Sequence, residues 1–108
     1  MPFRQDFIER LIQKLAEGIA RALGVARNGQ PDEGIALLEG AVTSGFGLPL
    51  GMLLKLTPDT VRSLVGVDRA PALADALRAY AEILKLAGRD VEARASERLA
   101  TELDQRRP

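Results

Sequence analysis

Residues 4–29, RQDFIERLIQKLAEGIARALGVARNG, decide the fold class of this 108-residue chain. Apolar side chains recur here every three to four residues, which is the spacing of one face of an α-helix. The pattern predicts a long amphipathic helix from about Arg4 to Arg27, ended by Asn28-Gly29. On a helical wheel the apolar half of the circumference consists of Phe7, Ile8, Leu11, Ile12, Leu15, Ala16, Ile19, Ala22, Leu23 and Ala26.

The following residues predict shorter helices, so the fold class is all-α. Pro31 opens a second helix, because proline fits the first helical turn, and residues 44–47 break it. The almost wholly apolar residues 48–56 predict a short helix that is buried on most sides. Thr57 as the N-cap opens a further helix, which ends at Gly66. The predicted buried stripe of the second helix is Ile35, Leu38, Ala41 and Val42.

The next helix, with Asp68 as its cap, runs to about Ala87 and is apolar around most of its circumference. We therefore expect it at the centre of the fold, with Gly88 as its end. Its charged residues recur at spacings of three and four, so they share one face: Asp75, Arg78, Glu82 and Lys85. A last amphipathic helix follows, with a predicted apolar stripe of Val91, Ala95, Leu99 and Leu103.

Composition excludes several classes of function. The chain has no His and no Cys, which removes imidazole bases, thiol nucleophiles and the usual zinc ligands. We therefore expect no enzyme activity, no metal and no cofactor. Lys+Arg and Asp+Glu number 15 each, so the basic excess typical of nucleic-acid binding is missing. Charges also interrupt the N-terminal helix, and we expect a cytoplasmic protein without a signal peptide or membrane span.

The stretch AYAEILKLAGRDVEARASERLA, residues 79–100, resembles a tetratricopeptide repeat. In that repeat, small residues let two antiparallel helices approach closely, and a glycine makes the turn between them. Glu97 and Gln105 depart from the pattern, which has an aromatic residue and a proline there. Residues 22–42 form a more degenerate copy, with Gly18 and Gly34 in place of Trp and Ala. The residues that match the signature of the second copy are Leu77, Ala81, Leu84, Gly88, Ala93 and Ala100.

The whole layout is similar to an uncharacterised family of small bacterial proteins with tetratricopeptide-like helices. Gln5-Asp6-Phe7-Ile8 is the opening that carries this resemblance. It implies one domain, residues 1–108, built from two helical hairpins with short inserted helices in residues 47–70. The resemblance implies a fold and no activity.

Two surfaces are candidate protein-binding sites. The first is an apolar strip of the N-terminal helix, Phe3, Phe7, Leu11 and Leu15, that one hairpin partner would leave uncovered; alternatively, the inserted helices cover it. The second is the charged stripe Asp75, Arg78, Glu82 and Lys85, which would line the concave groove of a tetratricopeptide hairpin. Its alternative role is a ladder of ion pairs along one helix.

These features favour a non-enzymatic module or scaffold that binds a protein partner by apolar helix docking, and that forms a homodimer through the N-terminal helix. One alternative is a small enzyme or ligand-binding protein with a pocket between the hairpins and residues 48–56. A buried Lys55 or Lys85 with a strongly lowered pKa would support it. A further alternative is peripheral attachment of the N-terminal helix to a membrane surface, which its mixed acidic and basic polar face disfavours.

Overall fold

A computed structural model describes residues 2–105, with side chains from Gln5 onward. Over that range the chain forms helices and no strands, which confirms the all-α class. The N-terminal helix begins at Pro2, slightly before the predicted start. In chain order the helices are α1 Pro2–Arg27, α2 Pro31–Phe46, α3 Leu50–Leu53, α4 Pro58–Val65, α5 Ala70–Leu86 and α6 Asp90–Asp104.

The turns that follow α1 and α5 share one backbone geometry. Gly29 and Gly88 have φ values of 93° and 78°, a left-handed conformation that side chains with a Cβ disfavour. After each glycine, the next amide donates to a carbonyl of the last helical turn, Gln30 to Val25 at 3.2 Å and Arg89 to Leu84 at 2.8 Å. These caps satisfy carbonyls at the helix ends and let α2 pack on α1 and α6 on α5.

Two glycines set the close approach of α1 and α2. A Cβ added to Gly34 would lie 2.8 Å from both the Ala22 carbonyl oxygen and the Ala26 Cβ. A Cβ added to Gly18 would lie 2.8 Å from the Ala41 Cβ. The positions at which the sequence departs from the tetratricopeptide pattern are therefore those at which this hairpin has no room for a larger residue.

Helix α5 lies at the centre, as the sequence predicts. It packs against α1, α2 and α6, and its residues join those of the other helices in one contiguous hydrophobic core. The large side chains of α5 that are fully buried are Leu73, Leu77, Ile83 and Leu84.

The predicted apolar stripe of α6 is confirmed at Leu99 and Leu103, which are buried, and is wrong at Val91 and Ala95. Val91 is 78% exposed, and Ala95 also faces solvent. Ser96 is fully buried instead, and its hydroxyl donates to the Leu77 carbonyl at 2.7 Å. A polar residue thus occupies a core position, which apolar periodicity cannot reveal. The residues that α6 buries are Ala93, Ser96, Leu99, Ala100 and Leu103.

The segment between the hairpins differs from the prediction in detail. The predicted break at residues 44–47 is wrong for most of its length, because α2 continues to Phe46 and ends at Gly47, with φ 75°. Helix α3 buries Leu50 and Leu53 but leaves Met52 exposed. It is therefore buried on one side only, and the prediction that it is buried on most sides is wrong.

The N-terminal caps of α4 and α5 differ, because only α4 has a side-chain cap. Thr57 caps α4 as predicted, since its hydroxyl accepts from the Thr60 amide at 3.2 Å. The prediction that Asp68 caps α5 is wrong, because Arg69 occupies the N-cap position without a side-chain cap. Its guanidinium instead donates to the Val65 carbonyl at 2.8 Å and lies 5.6 Å from the centre of the Phe46 ring. Arg69 thereby joins the end of α2 to the start of α5.

Candidate functional site

The first turns of α1 and the connection from α4 to α5 form an open groove of about 390 Å³, which we call the α1/α4 groove. Ile8 and Leu11 are half-buried. Phe7 is a more exposed member of the α1 side, and Leu64 and Val67 belong to the opposite side. The residues that line the groove are Phe7, Ile8, Leu11 and residues 63–69.

The groove is open because α2 stops short of the N-terminal end of α1. Leu11 and Leu15 lie beside Gly45 and Phe46, which end α2. Phe7 lies one helical turn farther toward the N-terminus, where residues 63–69 are its neighbours across the groove. The apolar half of α1 therefore continues past the helix that covers it.

Exposed apolar side chains converge on this groove. Phe7 is 62% exposed, Leu64 47% and Val67 77%. Scattered exposed apolar residues are normal on protein surfaces, whereas a contiguous set marks an association surface. The large apolar residues exposed elsewhere in the described part of the chain are Ile12, Met52, Leu86 and Val91.

The predicted apolar strip is only partly available for docking. Phe7 and Leu11 line the α1/α4 groove. Leu15 is 4% exposed and belongs to the hydrophobic core, so its assignment to the strip is wrong. The side chain of Phe3 lies outside the described residues. Sequence reasoning missed Leu64 and Val67. Leu64 lies in α4, where its apolar character predicts burial and not exposure, and Val67 lies in the connection to α5, which has no periodicity that would assign it to a surface.

The charged stripe of α5 is occupied by ion pairs within the chain. Asp75 pairs with Arg78 at 3.1 Å along the helix. The other contacts cross between helices: Arg78 pairs with Asp104 of α6, Lys85 with Glu97 at 2.8 Å, and Glu82 with Arg27 at 2.6 Å. The predicted ladder along one helix therefore accounts for one pair, and the others tie α5 to its neighbours.

The Arg27–Glu82 pair shifts the titration of both groups. Its hydrogen bond lowers the pKa of Glu82 and raises the pKa of Arg27. Both side chains are partly exposed, so water and salt screen the interaction. The pair joins the two hairpins at the end of α1 that is remote from the α1/α4 groove.

A second cavity, of about 570 Å³, lies between α4, the start of α5 and the end of α6. Arg62 and Asp59 form part of its polar lining. The Arg62 guanidinium donates to Asp59 at 2.8 Å and to the backbone carbonyls of Glu102 and Gln105. Because Arg62 is engaged by the last carbonyls of α6, its visible role is to cap that helix.

The described residues contain neither a buried lysine nor a cluster of metal ligands. Lys14, Lys55 and Lys85 are all exposed, whereas an activated lysine is desolvated. Within residues 2–105, no group of three or more His, Cys, Asp or Glu side chains is placed to hold a metal ion. Among the same residues, no helix has the length and apolar character needed to cross a bilayer.

No protein-family model, curated protein or solved structure matches this chain.

Proposed function

We propose that this protein is a non-enzymatic interaction module that binds a protein partner at the α1/α4 groove. The observation that carries the proposal is the convergence of Phe7, Leu64 and Val67, all exposed, on a groove with a half-buried apolar floor. An apolar face of a partner helix would fill such a groove and remove these side chains from water.

Burial of these side chains would contribute favourably to binding. Full burial of one large apolar side chain contributes about 1.5–3 kcal/mol, and aromatic residues at the centre of an interface often dominate its affinity. Phe7 would be the anchor, because it is both the largest of the three side chains and 62% exposed.

The tetratricopeptide-like character remains part of this proposal. Two features support it: the shared glycine caps at Gly29 and Gly88, and the burial of Ala81, Ala93 and Ala100 where the repeat has small residues. The groove proposed for binding is, however, not the concave face that such repeats present. The stripe that would line that face is paired within the chain.

Site-specific photo-crosslinking in cells of the protein's natural host tests the proposal. A photoreactive amino acid at Leu64 should crosslink to a defined protein, identified by mass, whereas the same amino acid at Val91, also exposed but remote in α6, should not. The purified partner should then bind the wild-type protein and lose binding to Val67→Asp. Equal crosslinking from both positions, or from neither, would contradict the proposal.

The two alternatives predict other results. A ligand pocket between the hairpins and residues 48–56 is disfavoured by the full burial of Leu50 and Leu53 and by the exposure of Lys55 and Lys85. Membrane-surface attachment predicts cosedimentation with anionic vesicles that Phe7→Asp abolishes. If Phe7→Asp left the cosedimentation unchanged, α1 would not be the segment that attaches to the membrane.

A further inference from the structure

We infer that the occupant of the α1/α4 groove is a second copy of this chain. In the two-fold dimer that we propose, Phe7 of each copy lies over the Leu64–Val67 wall of the other. This inference rests on the proposed function and names its partner.

The groove supplies both halves of such an interface. Phe7 is exposed on one wall, and Leu64 and Val67 are exposed on the other, with Ile8 and Leu11 half-buried between them. A two-fold interface uses the same patch twice, so a surface with an exposed anchor on one wall and exposed apolar side chains on the other can bury both at once. The net charge of zero places no overall repulsion between copies.

Exposed side chains of opposite charge lie on the two rims of the groove. Arg10 and Lys14 follow Phe7 at i+3 and i+7 on α1, so they lie beside it on the helix surface. Both are exposed, and Asp6 and Glu9 lie farther round the helix. On the other wall, Asp68 is exposed and lines the groove.

Arg10, Lys14 and Asp68 form no ion pair with the described side chains. Most ion pairs of the described residues lie elsewhere, on α5, α6 and the start of α4, and none includes Arg10, Lys14 or Asp68. Arg69, on the Asp68 side, is engaged by backbone carbonyls and the Phe46 ring.

Charge selects between two possible arrangements. A two-fold axis that runs along the groove places the basic rim of one copy opposite Asp68 of the other. An axis across the groove places Arg10 and Lys14 opposite their own counterparts, which like-charge repulsion disfavours. The rims therefore specify the first arrangement, in which Phe7 also meets Leu64 and Val67 rather than a second Phe7.

Sedimentation equilibrium on the purified chain, up to several hundred micromolar, tests the inference, since a small apolar contact gives an affinity of about micromolar order. Wild type should form a dimer. Phe7→Asp and Val67→Asp should each raise the Kd at least about tenfold, and Val91→Asp, at a similarly exposed site, should leave it unchanged. Helical circular dichroism confirms that each variant is folded.

A charge exchange tests the arrangement of the two copies. Lys14→Asp and Asp68→Lys should each weaken the dimer by about twofold to fivefold, and the double variant should restore it. Failure of this rescue overturns the axis along the groove. The inference that a second copy occupies the groove is wrong if the chain stays monomeric, or if it forms a dimer whose Kd does not change with Phe7→Asp. The proposed function would survive that result if Leu64 crosslinks to a different protein, and would fail if it crosslinks to none.

Discussion

The guanidinium of Arg27, at the end of α1, binds both carboxylate oxygens of Glu82 in α5, at N···O distances of 2.6 and 2.9 Å. The hydrogen bond holds the pKa of Glu82 below its ordinary value in the folded state. The stabilisation from this pair is therefore complete above the pKa of the unfolded chain and is lost as the pH falls through the lower, folded pKa.

Glu82→Gln should reduce the loss of stability on acidification. The effect should be small and should shrink further at high salt, because the side chains are 59% and 43% exposed and surface pairs are screened. Urea unfolding at neutral pH and at about pH 3 measures it, since this interval spans the ordinary glutamate pKa. Glu17→Gln, an exposed glutamate of α1, is the matched control. Identical acid sensitivity of the wild type and Glu82→Gln would show that the pair contributes nothing.

Gly34→Ala should destabilise the α1–α2 hairpin. The new Cβ would lie 2.8 Å from the Ala22 carbonyl oxygen, a backbone atom that cannot rotate away, so the helices must separate at a cost of about 1–3 kcal/mol. Gly40 is the matched control in the same helix, because nothing lies within 4 Å of a Cβ at that position. Gly40→Ala should stabilise the protein by about 0.5–1 kcal/mol.

Thermal or urea unfolding of the two glycine variants checks the opposite signs. If both raised the free energy of unfolding equally, the close approach of α1 and α2 at Gly34 would be wrong.

Tyr80 should make the protein sensitive to strong alkali. Burial raises the pKa of its hydroxyl well above the ordinary value, and a 2.9 Å hydrogen bond to Glu39 adds to the shift. Because the folded pKa exceeds the unfolded pKa of about 10, the stability is unaffected below that value and falls as the pH rises above it. Tyr80→Phe should remove this alkaline loss.

The absorbance of the phenolate gives a direct measurement, since Tyr80 is the only tyrosine and the chain has no tryptophan. Ionisation should coincide with unfolding. A phenolate that forms at about pH 10 in the folded protein would contradict the buried, hydrogen-bonded hydroxyl.

Ser96 should tolerate a smaller residue better than a larger one. Ser96→Ala loses the 2.7 Å hydrogen bond to the Leu77 carbonyl, for which the typical net contribution is about 1 kcal/mol. Ser96→Leu should cost more, because a fully buried position between α5 and α6 has no space for the added carbons. Chemical unfolding of the two variants gives the order. If Ser96→Leu were more stable than Ser96→Ala, this position would favour a large apolar side chain over the hydrogen-bonded hydroxyl.

The presence of the helices could be predicted from local features of the sequence. Proline at the helix starts, glycine at the helix ends and the apolar spacing of α1 each act within a few residues, so the order of the helices could be predicted. The face that α6 buries could be predicted only in part. Leu99 and Leu103 are buried as expected, whereas Ser96 lies in the core with a hydrogen bond to a carbonyl that α5 supplies.

The candidate site divides in the same way. Phe7 and Leu11 were identified from periodicity in α1. Leu64 and Val67 belong to the groove only because the end of α4 and the connection after it pass beside the first turns of α1, a long-range relationship. The pairing of the α5 stripe with α1 and α6 depends on the same kind of information.

The central position of α5 has a consequence for how the molecule melts. Long solenoids can unravel from one end, because each repeat contacts only its neighbours. Here α5 provides apolar surface to α1 and α2 as well as to its own partner α6, so neither hairpin keeps its core when the other opens. We therefore expect heat to unfold both hairpins in one cooperative transition, with calorimetric and van't Hoff enthalpies that agree.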